Sequence, residues 1–246
     1  MDRSLTFRSH PSFAADFFGW LRKVMDRSLT FRSHPKKSAA KLGTRNNLLS
    51  KLAGASWGAR ASTLRTSALT IFYSLAEYCA PVWSRSSHTN LTDSQMNETM
   101  RIITGTLRPT PLPWLPVLSH SPPYLRREEA TTKLLTKIEL NDSLPLHRDI
   151  TSHPVSRLPS RRQIWQGWSK KFSTPSQRLE EWLFADTVNG SLVDDPSIQV
   201  PGFDLPRRLW CTLNRFRTGQ GRCATSLTRW QQITDQLVVT VVHHNK

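Results

Sequence analysis

Residues 38–54, SAAKLGTRNNLLSKLAG, and residues 61–83, ASTLRTSALTIFYSLAEYCAPVW, decide the fold class of this 246-residue chain. In the first, Leu42, Leu48, Leu49 and Leu52 form an apolar stripe with Lys41, Arg45 and Lys51 off it, and Gly54 stands where a helix would stop. In the second, Leu64, Ala68, Ile71, Phe72, Leu75, Tyr78 and Cys79 recur at helical spacing until Pro81 closes the run. A GASWG link is too short for anything but an antiparallel return. A third helix is predicted from a Thr89 or Asn90 cap, burying Leu91, Met96, Met100 and Ile103 before Gly105. TLRPTPLPWLPVLSHSPP is too rich in proline for a long helix, and Pro122 and Pro123 then open a fourth, YLRREEATTKLLTKIEL. The expected fold is mainly α: a small helical bundle, then a Pro-rich irregular linker, then a short helical C-terminal segment.

Farther on, residues 202–223, GFDLPRRLWCTLNRFRTGQGRC, contain the densest basic cluster: Arg207, Arg208, Arg215, Arg217 and Arg222. They read as a helix capped by Asp204 with Pro206 in its first turn. Leu209, Leu213 and Phe216 would pack inward, leaving much of the arginine set outward and Trp210 between the two sets. A second cluster, SRLPSRRQIWQGWSKKF, mixes Arg157, Arg161, Arg162, Lys170 and Lys171 with two tryptophans and lacks helical periodicity. That composition suits a linker that orders on an RNA partner.

Composition names the partner class. Lys and Arg number 34 against 18 acidic residues, a formal net charge of +16, with Arg well ahead of Lys. Such an excess favours polyanions, because each neutralised phosphate releases condensed counterions, and guanidinium forks onto phosphate and stacks on bases as ammonium cannot. Hydrophobic residues make up only 37% of the chain, so the cores should be modest. Three cysteines, Cys79, Cys211 and Cys223, have no CxxC spacing and write neither a disulfide framework nor a zinc knuckle, which fits an intracellular, reducing setting. The longest apolar run, Leu237–Val242, is far short of a membrane span, so no membrane partner is expected. The N-terminal MDRSLTFRSHP at 1–11 recurs letter for letter at 25–35. Two copies do not make a repeat architecture, so residues 1–24 read as a duplicated leader expected to lack order.

Several strings occur in an order that carries a family resemblance: DRSLTFRSH (second copy), RNNLLSKLAG, LRTSAL, AEYCAPVWSRSSHT, TDSQMNETMRIITG, PTPLPWLPVL and LRREEA, followed by GFDLPRRLWCTLNRFRTGQGRC. Together they resemble the region after the palm in non-LTR retrotransposon (LINE-type, jockey- or RTE-like) endonuclease/reverse transcriptases. The resemblance implies a helical thumb over residues 25–140, a basic Pro- and Trp-containing linker over 141–200, and a basic helical segment with a divergent tail over 201–246. It implies an RNA-directed DNA polymerase as the parent activity. Such an enzyme holds two divalent ions on palm carboxylates, in an aromatic-x-Asp-Asp hairpin that this sequence does not contain. No cofactor is therefore expected in this chain, the Mg of the parent belonging to the absent palm, and the chain alone is expected to be inactive. Asp194-Asp195 imitates the pair, but Pro196 follows at once and a helix-cap or turn role is expected instead. The family's terminal zinc knuckle cannot be assembled either, since only Cys223 stands in place.

Other catalytic sets fare no better. Neither Cys79 nor Cys223 sits in a nucleophile signature with a histidine, and TGQG at 218–221 is too short for a phosphate loop. The implied partners are RNA and/or DNA and the missing N-terminal polymerase portion, in the nucleus or a cytoplasmic ribonucleoprotein. A thumb grips phosphates through basic helices with little sequence reading. The candidate contacts are Arg45, Lys51, Arg60, Arg65, Arg85, Arg101, Arg161, Arg162, Arg207, Arg208, Arg215, Arg217 and Arg222. A decayed relic, or a free-standing basic binding module without a polymerase role, is the alternative reading.

Overall fold

A computed structural model describes residues 33–54, 57–144, 146–152 and 173–221. Among these residues the chain is mainly helical and has no strand. Helix α1 (Ser33–Leu52) lies along α5 (Asn90–Thr104). Between them the chain forms α2 (Ala61–Ser67), a wide π turn (Ala68–Tyr73) and the short α3 (Ser74–Ala76). Leu42 and Leu49 of α1, Leu64 of α2, Phe72 and Tyr73 of the π turn, and Met96 and Ile103 of α5 fill one core. Phe72 and Tyr73 meet edge to face at 5.5 Å. A polar latch crosses the same interface: the Asn46 amide donates to the Gln95 carbonyl at 3.0 Å, and the Thr99 hydroxyl donates to Asn46 Oδ1 at 2.7 Å.

A second core gathers Ala61, Trp114, Val117 and Leu118 with Trp182, Val193, Val200, Phe203 and Trp210. Trp114 and Leu118 come from α6 (Trp114–Ser119), Trp182 from α9 (Thr174–Phe184) and Trp210 from α10 (Arg207–Arg217). Each of the three indole N–H groups finds a backbone carbonyl: Trp114 on Val188 at 3.2 Å, Trp182 on Val193 at 2.9 Å, Trp210 on Ile103 at 3.2 Å. Burying one tryptophan removes roughly 150–250 Å² from water, about 4–6 kcal/mol of gross stabilisation. Three such rings, each with its polar tip satisfied, supply much of the apolar surface of this core. A smaller cluster of Leu135, Ile138 and Ile150 ties α7 (Pro123–Glu139) to α8 (His147–Ser152).

Several expectations are corrected. The buried stripe of α1 is His34, Pro35, Ser38, Leu42, Asn46 and Leu49, whereas Leu48 and Leu52 are 49% and 43% exposed. Pairing with α5 selects the polar latch at Asn46, which rotates the helix away from its most leucine-rich face. The run predicted to reach Pro81 stops at Ala76. A proline ring at 81 would clash with the Glu77 carbonyl in a continuous helix, so Cys79 turns left-handed (φ 53°) and Pro81 enters the first turn of α4 (Ala80–Trp83). Cys79 is thus a half-buried turn residue, not part of a buried helical stripe. In α5 the stop at Gly105 is found (φ 68°), and Met96, Met100 and Ile103 are buried, but Leu91 is exposed and Thr89 caps without a side-chain bond. The span expected as linker, 141–200, contains α8, α9 and a 3-10 turn (Gly190–Leu192), and contributes Trp182, Val193 and Val200 to the second core. Its prolines therefore punctuate packed structure in the described part.

Candidate nucleic-acid interface

The C-terminal arginine cluster departs from its expectation in part: Arg208 is exposed as expected and Arg215 is half-buried, but Arg207 and Arg217 turn inward. On α10, Leu209 and Phe216 are 54% and 69% exposed, while Arg207, Trp210, Cys211, Asn214 and Arg217 are buried. The reason is the C-terminus of α5, whose last carbonyls have no partner within their own helix. Arg207 forks onto the carbonyls of Ile103 at 2.6 Å and Ile102 at 2.5 Å, and Trp210 adds its indole N–H to Ile103. Asn214 donates to the Thr104 carbonyl at 2.9 Å and Arg215 Nε to that of Gly105 at 3.2 Å. Cations here also face the negative end of the α5 dipole. The approach is close: a Cβ on Gly105 would stand 2.1 Å from Cys211 Sγ. Arg217 bonds Asn214 Oδ1 and the Pro201 carbonyl. Burial lowers the pKa of both Arg207 and Arg217, since desolvation opposes their charge. Pro206, not Asp204, is the N-cap of this helix, and Asp204 is exposed.

Other arginines are spent likewise. Arg45 donates to the Ile71 carbonyl in the π turn, and Arg65 reaches the His120 carbonyl at the end of α6 through Nε (3.2 Å) and Nη2 (3.1 Å). Arg126 and Arg127, absent from the sequence candidates, pair with Glu77 and Asp93 at 2.6 Å and lie over the rings of Tyr73 and Trp83. Arg85 and Arg101 are half-buried. Arg161, Arg162 and Arg222 lie outside the described residues.

Among the described residues every lysine faces solvent, whereas of the arginines only Arg60, Arg108, Arg148 and Arg208 do. Lys36, Lys37, Lys41 and Lys51 stand exposed on α1, with Arg60 exposed just before α2. Lys37, Lys41, Thr44, Leu48 and Lys51 share one stripe of the helix by their i, i+4, i+7, i+11, i+14 spacing. It is about 21 Å long, the length of some six duplex steps. Residues 33–76 hold seven Lys and Arg and no carboxylate. Residues 173–221 hold five arginines against six carboxylates, so the segment with the densest arginines has the weaker basic surface. Lys36, Lys37 and Lys41 escape a candidate set that gives its weight to arginines. The absence of acid over 44 residues was the available signal.

Little else has the form of a reactive site. Asp195 accepts from the Ser197 amide at 2.7 Å and its hydroxyl at 2.6 Å, a turn that holds its carboxyl below the usual range, and Asp194 is exposed. Among the described residues no three His, Cys, Asp or Glu side chains gather as a metal set. Nor is any helix among them long and apolar enough to cross a membrane. A crevice between α6 and α9, lined by Pro113, Pro116, Val117, Pro122 and Trp182 with Arg178 and Glu181, has no histidine or cysteine in its wall.

No known protein family matches the chain. No curated protein and no solved structure matches it either.

Proposed function

We propose that this chain binds nucleic acid without sequence selectivity, laying the lysine face of α1 along the phosphate backbone. The observation that carries the reading is the basic, carboxylate-free stretch 33–76, with Lys36, Lys37, Lys41 and Lys51 unencumbered by acidic neighbours on their own helix. Flexible ammonium groups on a rigid helix neutralise phosphates without reading bases. The string resemblance adds the context: a thumb-like, non-catalytic part of a retrotransposon RNA-directed DNA polymerase, working inside the cell beside the portion that holds the palm and its Mg. Of the candidates named from the sequence, Lys51, Arg60 and Arg208 stay in this reading as solvent-facing cations.

The test is the salt dependence of binding to a labelled RNA–DNA duplex by the full chain. Replacing Lys36, Lys37, Lys41 and Lys51 together by Gln should make the slope of log K against log salt shallower by about 3.6, near 0.9 for each phosphate no longer neutralised. A slope equal to the wild type's removes α1 from the interface.

A further inference from the structure

The end of the lysine stripe carries an unusual loop. Trp57 is 75% exposed, in a chain whose Trp83, Trp114, Trp182 and Trp210 are all buried. The loop that presents it is closed at its base by Ala59 N–H on the Leu52 carbonyl at 2.9 Å and inside by Gly58 N–H on the Gly54 carbonyl at 2.8 Å. The first of these bonds brings the ends of α1 and α2 together, so that exposed Lys51 and Arg60 flank the base while Trp57 sits in the loop. The indole is also held. A Cβ on Gly54 would fall 2.4 Å from Trp57 Cε2 and 2.7 Å from Nε1, so the ring occupies the space that only a glycine leaves open. One side of the indole thus rests on backbone and the rest faces water.

A held, solvent-facing indole in a loop whose base is bordered in sequence by two exposed cations, at the end of a phosphate-sized stripe, matches the requirements of a base-stacking platform. Neither packing nor a hydrogen bond of the fold explains its exposure. We propose that Trp57 stacks on an unpaired base, so that the ligand is single-stranded nucleic acid, or a duplex with a single-stranded overhang, whose backbone continues along Lys51, Lys41 and Lys37. Within a duplex the bases are stacked on one another, and only the terminal pairs leave a face open. This inference rests on the phosphate-binding reading of α1 and adds the strandedness of the ligand.

The test compares a 12-nucleotide oligo(U), a 12-nucleotide oligo(dT) and a blunt 12-base-pair duplex bound to the full chain at low salt. Trp57→Ala should weaken both single strands about tenfold and leave the duplex unchanged, and Trp57→Phe should recover most of the loss. Gly54→Ala, which evicts the indole while keeping it in the chain, should behave as Trp57→Ala does. Helical circular dichroism and the thermal midpoint should match wild type for Trp57→Ala, since the side chain is outside both cores. Equal loss on duplex and single strand, or no loss on any ligand while salt-sensitive binding persists, overturns the platform and leaves the lysine face standing. Absence of salt-sensitive binding by the wild type overturns both.

Discussion

Arg207 shows why a cationic side chain is not by itself a phosphate contact. The residue is 4% exposed, and its guanidinium forks across two carbonyls that α5 cannot satisfy alone. A planar fork suits two adjacent carbonyls as well as it suits two phosphate oxygens. Removing it uncovers buried acceptors, and a buried acceptor left unmade costs more than the bond's net worth. Arg207→Ala should therefore lower unfolding free energy by about 2–4 kcal/mol in urea titration. Arg207→Lys should recover little of that, because one ammonium cannot span both oxygens. A decrease below about 0.5 kcal/mol would contradict the clamp.

At the scale of one helix, α10 inverts the usual rule of reading faces. Leu209 and Phe216 point to water and Leu213 is half-buried, while its Arg207–Trp210–Asn214–Arg217 stripe points in. Phe216→Ser should accordingly change stability by less than about 0.5 kcal/mol, whereas Trp210→Ala should cost about 3–5 kcal/mol; comparable losses from the two in thermal or urea unfolding would restore the orientation expected from the sequence. The helix itself was legible, from its period and from Pro206 at its start. Its inner face was not, because the deciding partner is the end of α5, some hundred residues earlier, whose demand is for donors rather than for hydrocarbon. The same holds in α1, where Asn46 outranks Leu48 because Gln95 and Thr99 wait opposite it. By contrast the stop at Gly105 and the start of α7 at Pro123 were readable, since glycine at positive φ and proline in a first turn act locally.

Over the whole molecule, the +16 charge is divided by residue type as well as by segment. Among the described residues, arginine is largely drawn into the fold, capping carbonyls at the ends of α5 and α6 and in the π turn or pairing with Glu77 and Asp93. Lysine is left on the surface, concentrated on α1. The mainly α architecture and the basic excess could be read from sequence; which cations remain free could not, because that depends on which carbonyls the tertiary fold leaves unpaired. In the proposed division of labour α1 is the grip and α10 a brace. Lysine acetylation with and without bound RNA, read by mass spectrometry at low salt, tests it most directly. Lys36, Lys37, Lys41 and Lys51 should be protected when RNA is present, while Lys133 and Lys137 on α7, also exposed, should react as before. Protection spread evenly over all six, or confined to Lys133 and Lys137, would contradict the assignment of α1 as the grip.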